Sequence, residues 1–116
     1  MNIKIITHNN IAILYILEDI TLRSDISDLL RHVKNILAAH ARLIAFHFTP
    51  ESYLSTKSIA ALMNCLEEIK ERGGIAAIVD ANRDIREVLN MIDSGKLVSF
   101  CRSESDLRAI LEPAAA

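Results

Sequence analysis

The run Leu43-Ile44-Ala45-Phe46-His47-Phe48-Thr49-Pro50-Glu51-Ser52-Tyr53-Leu54-Ser55-Thr56-Lys57-Ser58-Ile59-Ala60-Ala61-Leu62 decides the architecture of this chain. Its first six residues are short and almost wholly apolar, the pattern of a strand. After the loop Thr49-Pro50-Glu51-Ser52 the period changes, and Ile59, Leu62, Met63, Leu66 and Ile69 recur at helical spacing. The pattern predicts a helix from about Ser55 to Arg72. Ser55, Thr56, Lys57 and Ser58 then fall near its first turn. Unpaired N–H groups at such a terminus point outward and favour negative charge, so a phosphoryl group could be placed or read there. The simpler reading is that Ser55 or Thr56 only caps the helix.

Outward from this stretch the signals continue to alternate. Gly73-Gly74 ends the predicted helix, because glycine accepts the left-handed conformation of a C-terminal cap. Ile75-Ala76-Ala77-Ile78-Val79 is apolar without a break and predicts a strand buried on both faces. Asn82 starts a helix bearing Ile85, Val88, Leu89 and Ile92, and Asp93-Ser94-Gly95 closes it. Leu97 to Phe100 predicts a last short strand. Ser103-Glu104-Ser105-Asp106 then opens a terminal helix with Leu107, Ile110 and Leu111. Toward the N-terminus, Ile3–Thr7 and Ile11–Leu17 flank His8-Asn9-Asn10 and read as a β-hairpin. Ser24 or Asp25 caps a helix whose apolar face is Ile26, Leu29, Leu30, Val33, Ile36 and Leu37. The predicted order is ββαβαβαβα, an α/β fold with a mixed sheet of about five strands and four helices mainly on one face. Residues 3–111 form one domain, and 112–116 form a short tail with nothing to bury.

Composition narrows the function. The chain has 116 residues, 51% of them hydrophobic, with two Tyr, three Phe and no Trp, so Ile, Leu, Val and Ala must build the core. The net charge of −2 is spread without a basic stripe, which argues against nucleic acid as a partner. No apolar run is long enough to span a bilayer and the N-terminus lacks a signal-peptide pattern, so a cytoplasmic location is expected. Cys65 and Cys101 form no CxxC and read as reduced, packed thiols. His8, His32, His40 and His47 are scattered, so neither a metal nor an organic cofactor is expected. His47, within an apolar strand, reads as a hydrogen-bonded structural histidine. Three glycines are too few for a phosphate-cradling loop after the first strand. Nothing in these patterns points to an enzyme.

With the elements in this order, the chain resembles a STAS domain, the fold of bacterial anti-sigma factor antagonists, from about Ile3 to Leu111. The resemblance rests on Tyr53-Leu54-Ser55-Thr56-Lys57-Ser58-Ile59-Ala60 at the start of the long helix, on Arg72-Gly73-Gly74 before Ile75–Val79, and on Asn82-Arg83-Asp84-Ile85-Arg86-Glu87-Val88-Leu89. The Gly95-Lys96-Leu97 turn and Ser103-Glu104-Ser105-Asp106-Leu107 agree with it. The resemblance implies partner switching: docking onto an anti-sigma factor that is a serine/threonine kinase, or onto another STAS protein. Docking would use the loop before the long helix, Lys57 included, and the rim Glu18-Asp19-Ile20-Thr21, with phosphorylation as the control. A homodimer is a further option.

The departures are informative. The family's aspartate is Ser55 here and its first helix glycine is Ser58. The serine phosphorylated in sporulation-type members is replaced by Lys57. In the stressosome branch the phosphoacceptor directly follows the aspartate, a place that Thr56 occupies. Thr56, Ser55 and Ser58 are therefore the phosphorylation candidates, and Lys57, Glu18, Asp19 and Thr21 the partner-binding ones. Two alternatives stand beside the switch. One is a scaffold subunit of a larger assembly that is never phosphorylated. The other is a small-ligand or nucleotide-binding module.

Overall fold

A computed structural model describes residues 2–93 and 97–111; the predicted closure of the third helix at Ser94-Gly95, the adjoining turn at Lys96, and the 112–116 tail lie outside them. The elements are β1 (Ile3–His8), β2 (Ile11–Ile16), α1 (Asp28–Ala38), β3 (Leu43–His47), α2 (Thr56–Glu71), β4 (Ile75–Val79), α3 (Arg83–Asp93), β5 (Val98–Cys101) and α4 (Leu107–Leu111). A 3-10 turn at Glu104–Asp106 leads into α4. The strands lie side by side in chain order, β1 antiparallel to β2 and the remaining neighbours parallel. This is the mixed five-stranded sheet with four helices that the sequence predicts.

Residue alternation explains how the sheet is covered. On one face Leu14, Ile44, Phe46 and Ile78 pack beneath Leu29 and Val33 of α1, Leu62, Leu66 and Ile69 of α2, and Ile85 and Leu89 of α3. On the other, Leu43, Ala45, Ala77, Val79 and Cys101 pack with Leu107 and Leu111 of α4. Most of the helical cover is therefore on one side, as predicted. β3 and β4 lie inside the sheet with both faces covered, which is why β4 is apolar without a break and β3 is apolar up to His47. Cys65 and Cys101 are both free and buried.

Several boundaries differ from the sequence expectation. α1 begins at Asp28, because the expected caps serve turns of their own: Ser24 Oγ accepts from Thr21 N at 2.9 Å and Asp25 Oδ1 accepts from Ser27 N at 2.9 Å. The last strand runs Val98–Cys101, placing Cys101 inside it rather than after it. The hairpin turn is Asn9-Asn10 alone, with Asn9 at φ 56°, so His8 belongs to β1.

The end of α2 follows the glycine reading closely. Gly73 sits at φ 78°, its N–H reaches Lys70 O at 2.9 Å, and Gly74 N–H reaches Ile69 O at 2.8 Å. These two bonds are the Schellman pair. A Cβ on Gly73 meets no atom within 4 Å, so only backbone strain opposes a side chain there. Gly73→Ala is expected to lower stability by about 1 kcal/mol in urea unfolding, with Gly73→Asn costing less. Equal midpoints for wild type and Gly73→Ala would contradict the strain argument.

Candidate partner-docking site

The C-terminal ends of β2, β3 and β4 open onto three loops, residues 17–27, 48–55 and 80–82, beside the N-terminus of α2. Polar groups tie these loops together. Ser52 is 2% exposed; its Oγ accepts from Ile20 N at 2.9 Å and lies 2.7 Å from Thr49 Oγ1. Thr49 Oγ1 donates to Asp19 Oδ1, and Tyr53 N donates to Ile20 O at 2.7 Å. Asn82 reaches in from the start of α3. Its Nδ2 donates to Pro50 O at 3.0 Å and to Ser52 O at 2.8 Å, while its Oδ1 accepts from Ile85 N at 2.9 Å and caps that helix. One side chain therefore holds both a helix end and the neighbouring loop.

At α2 the four candidate residues share one turn but face different surroundings. Ser55 is the N-cap, in extended conformation at φ −69° and ψ 169°, and its Oγ accepts from Ser58 N at 3.2 Å. Ser58 is 1% exposed, with its hydroxyl 3.3 Å from that of Ser55. Thr56 and Lys57 are exposed. Lys57 Nζ stands 4.0 Å from Asp25 Oδ2, and both side chains are largely in solvent. The N–H and hydroxyl of Ser27 hold the Asp25 carboxyl below its usual range, with the Lys57 charge adding to the effect. Ser58 thus lies within the fold, and Thr56 carries the exposed hydroxyl of the turn.

The proposed rim residues separate. Glu18 turns to the start of β1, its Oε1 accepting from Asn2 N at 2.8 Å. Asp19 supports Thr49. Thr21 lines an open groove of about 520 Å³ together with Ile20, Leu22, Arg23, Glu51 and Tyr53. Leu22 is 74% exposed and Tyr53 48%, so the groove presents apolar surface flanked by one base and one acid. Sequence reasoning did not single out Leu22 and Arg23. The signal lay in Leu22 itself, a leucine in a polar loop outside any helical or strand period.

On the α4 side of the sheet, the His47 and Tyr15 rings lie 5.5 Å apart. Burial first, and then the hydrogen bond and charge of Glu104, push the Tyr15 hydroxyl up to about 12. His47 Nδ1 is buried without a hydrogen-bond partner among the described residues, so the expectation of a hydrogen-bonded histidine is not met at that nitrogen. No cluster of three or more His, Cys, Asp or Glu that could hold a metal occurs among the described residues. No described helix is long and apolar enough to cross a membrane.

In sequence, the chain matches no family model and no curated protein. In structure, it is similar to the Bacillus cell-fate determinant SpoIIAA, an anti-sigma factor antagonist. The unphosphorylated form gives a TM-score of 0.73 at 9% identity, covering 97% of both chains. The phosphorylated form gives 0.71 at 9% identity, over 94% of this chain and 99% of that one. The Thermotoga maritima protein TM1081, provisionally assigned as an anti-sigma factor antagonist, gives 0.72 at 16% identity, over 95% of this chain and 94% of its own. The fold is therefore that of a STAS-like domain.

Proposed function

We propose that this chain is an anti-sigma factor antagonist-like regulator that acts by docking onto a protein partner rather than by catalysis. The observation that carries this reading is the exposed turn Thr56-Lys57 beside an apolar groove flanked by Leu22 and Tyr53. A cross-tied rim holds that surface in place, and preorganised loops lower the ordering cost of association. The likeness to SpoIIAA, an anti-sigma factor antagonist, supports an anti-sigma factor as the partner class; a kinase of that class or a second STAS protein, met in the cytoplasm, is the form of partner that the resemblance in sequence implies.

Control by phosphorylation belongs to the same proposal, with Thr56 as the acceptor. A phosphoryl group there adds close to two negative charges at an exposed helix start, where the dipole tolerates it and Lys57 can pair with it. It also adds charge to a surface whose neighbouring groove is largely apolar, which opposes docking by desolvation. Ser58 has its backbone N–H in the Ser55 cap and its side chain inside the fold, which argues against it as a kinase target. Incubation with the cognate kinase is expected to modify Thr56 in preference to Ser55, read by mass spectrometry. A docking-competent chain that no candidate kinase modifies would favour the unphosphorylated scaffold.

Lys57 provides the docking test. Lys57→Glu is expected to weaken binding to an acidic partner face about tenfold, through a slower association whose deficit against wild type narrows as salt is raised. Folding should barely change, because the Asp25 pair is exposed and worth little. Identical affinity and identical salt dependence for the variant would remove this turn from the docking surface.

A further inference from the structure

The edge strand β1 carries surface that the docking site does not use. All six of its residues are exposed or half-buried, with Ile5 at 38% and Ile6 at 42%. Soluble proteins usually blunt such an edge with charge, proline or a bulge. Here Lys4 is the strand's one lysine, and all six residues pair with β2 in unbroken register. β5, at the opposite edge, is shorter, with four residues.

The phase of the ladder shows what this edge can accept. Leu17 N donates to Asn2 O at 2.9 Å, and Lys4, Ile6 and His8 follow Asn2 in the same register against Tyr15, Ile13 and Ile11. Those residues therefore turn their backbone groups toward β2, while Ile3, Ile5 and Thr7 turn theirs outward. We propose that a second copy of this chain pairs there, β1 against β1 and antiparallel, about a dyad through Ile5. This register matches all three outward residues with outward residues: Ile5 with Ile5, and Ile3 with Thr7 on either side. Six backbone hydrogen bonds result. Lys4 comes opposite Ile6 of the second copy, and the two Lys4 charges stay apart. A dyad at Lys4 would set them against each other, and a shift to Ile3 or Thr7 would shorten the ladder. The Ile5 register also brings His8 of the second copy over Asn2, beside the carboxylate that Glu18 already places there.

Such a dyad stands perpendicular to the sheet. It yields one continuous ten-stranded sheet with α1, α2 and α3 of both copies on the same side. It sends the two docking rims to opposite ends, so both remain open and the dimer is bivalent. The interface is small, at the low end for specific contacts, so a dissociation constant on the order of tens of micromolar is expected.

Sedimentation of the full chain tests this. A concentration-dependent monomer–dimer equilibrium is expected, and Ile5→Lys should weaken it at least tenfold with an unchanged circular dichroism spectrum. Ile6→Glu should tighten it, about threefold to tenfold, by pairing with Lys4 of the second copy. A dyad through Ile6 would instead oppose the two glutamates and weaken it. Cross-linking reads the register directly. Paired Cα atoms in a hydrogen-bonded antiparallel pair lie about 5.5 Å apart, within disulfide reach. Ile5→Cys should therefore oxidise to a dimer, while Thr7→Cys should do so only when mixed with Ile3→Cys. A chain that stays monomeric to about 1 mM, or Thr7→Cys cross-linking alone as fast as Ile5→Cys, overturns the proposal. Protection of the β1 amides only on adding a different protein would assign the edge to that protein and overturn it too.

Discussion

Raising the pH from 9 to 12 is expected to remove up to about 4 kcal/mol of stability through one thiol, that of Cys65. Cys65 lies on α2 at 0% exposure in the main core, and burial pushes its thiol from 9.0 up to about 12. Below pH 9 both folded and unfolded chains keep the proton, so the full contribution is present. Between 9 and 12 the unfolded chain releases the proton while the folded chain holds it. Stability therefore falls as pH rises, by about 1.4 kcal/mol per unit. Cys101 and Tyr15 shift in the same direction, so a single alkaline titration mixes several groups. Comparison with Cys65→Ala isolates the thiol. At neutral pH the variant should be about 1 kcal/mol less stable, from the small cavity it leaves. The gap should close near pH 10 and then reverse. Parallel stability curves for the two proteins from pH 8 to 11 would show that the thiol does not titrate as its burial requires.

Asn82→Ala is expected to cost about 3 kcal/mol, a large effect for one polar residue beside a loop. Loss of the α3 cap accounts for about 1 kcal/mol. Loss of the two bonds to Pro50 O and Ser52 O accounts for about 2 more. Asn82→Asp separates the roles. It keeps an acceptor for Ile85 N but has no donor for the two carbonyls, and it places a negative charge against them. Amide exchange across residues 50–54 should quicken in both variants, whereas protection at Ile85 should fall only in Asn82→Ala. Partner binding should weaken in both, because Tyr53 belongs to the same loop. A loss below about 0.5 kcal/mol in both variants would mean that the three loops hold their geometry without this tether.

The fold was legible in the sequence because its signals are local and repeat with the period of the element they specify. Leu62, Leu66 and Ile69 define the buried stripe of α2, the unbroken Ile75–Val79 run marks an interior strand, and Gly73-Gly74 stops the helix between them. The start of α1 moved because the polar side chains before it had two possible backbone partners. Ser24 and Asp25 are good caps by type, yet they close turns at Thr21 and Ser27, and α1 starts after both. Nothing in the residue types decides between those outcomes, because the same oxygen suits either.

The site was legible only in part. The cluster Ser55-Thr56-Lys57-Ser58 was placed at a helix start by the change of period around it, and Ser55 was recognisable as a cap. That Ser58 is the covered one was not, since three adjacent first-turn residues point about 100° apart and the neighbouring core sets which one it covers. The groove is further still from local pattern. It unites Thr21 and Leu22 with Glu51 and Tyr53, positions about thirty residues apart, through backbone and hydroxyl bonds that exist only once β2 and β3 are paired.

By itself, then, the sequence determined the number, type and order of the elements, most of the apolar faces they bury (Ile92 of α3 is exposed) and the stop at Gly73. Hydrophobic periodicity and backbone conformational limits act over a few residues, and the chain carries them before it folds. Tertiary structure alone decided that Ser58 is interior, that Glu18 serves β1 instead of the groove, and that Asn82 binds a loop thirty residues away. It also decided which backbone groups of β1 face outward. Each of those outcomes depends on strand register and on competition between polar partners distant in sequence, and neither exists until the sheet has formed.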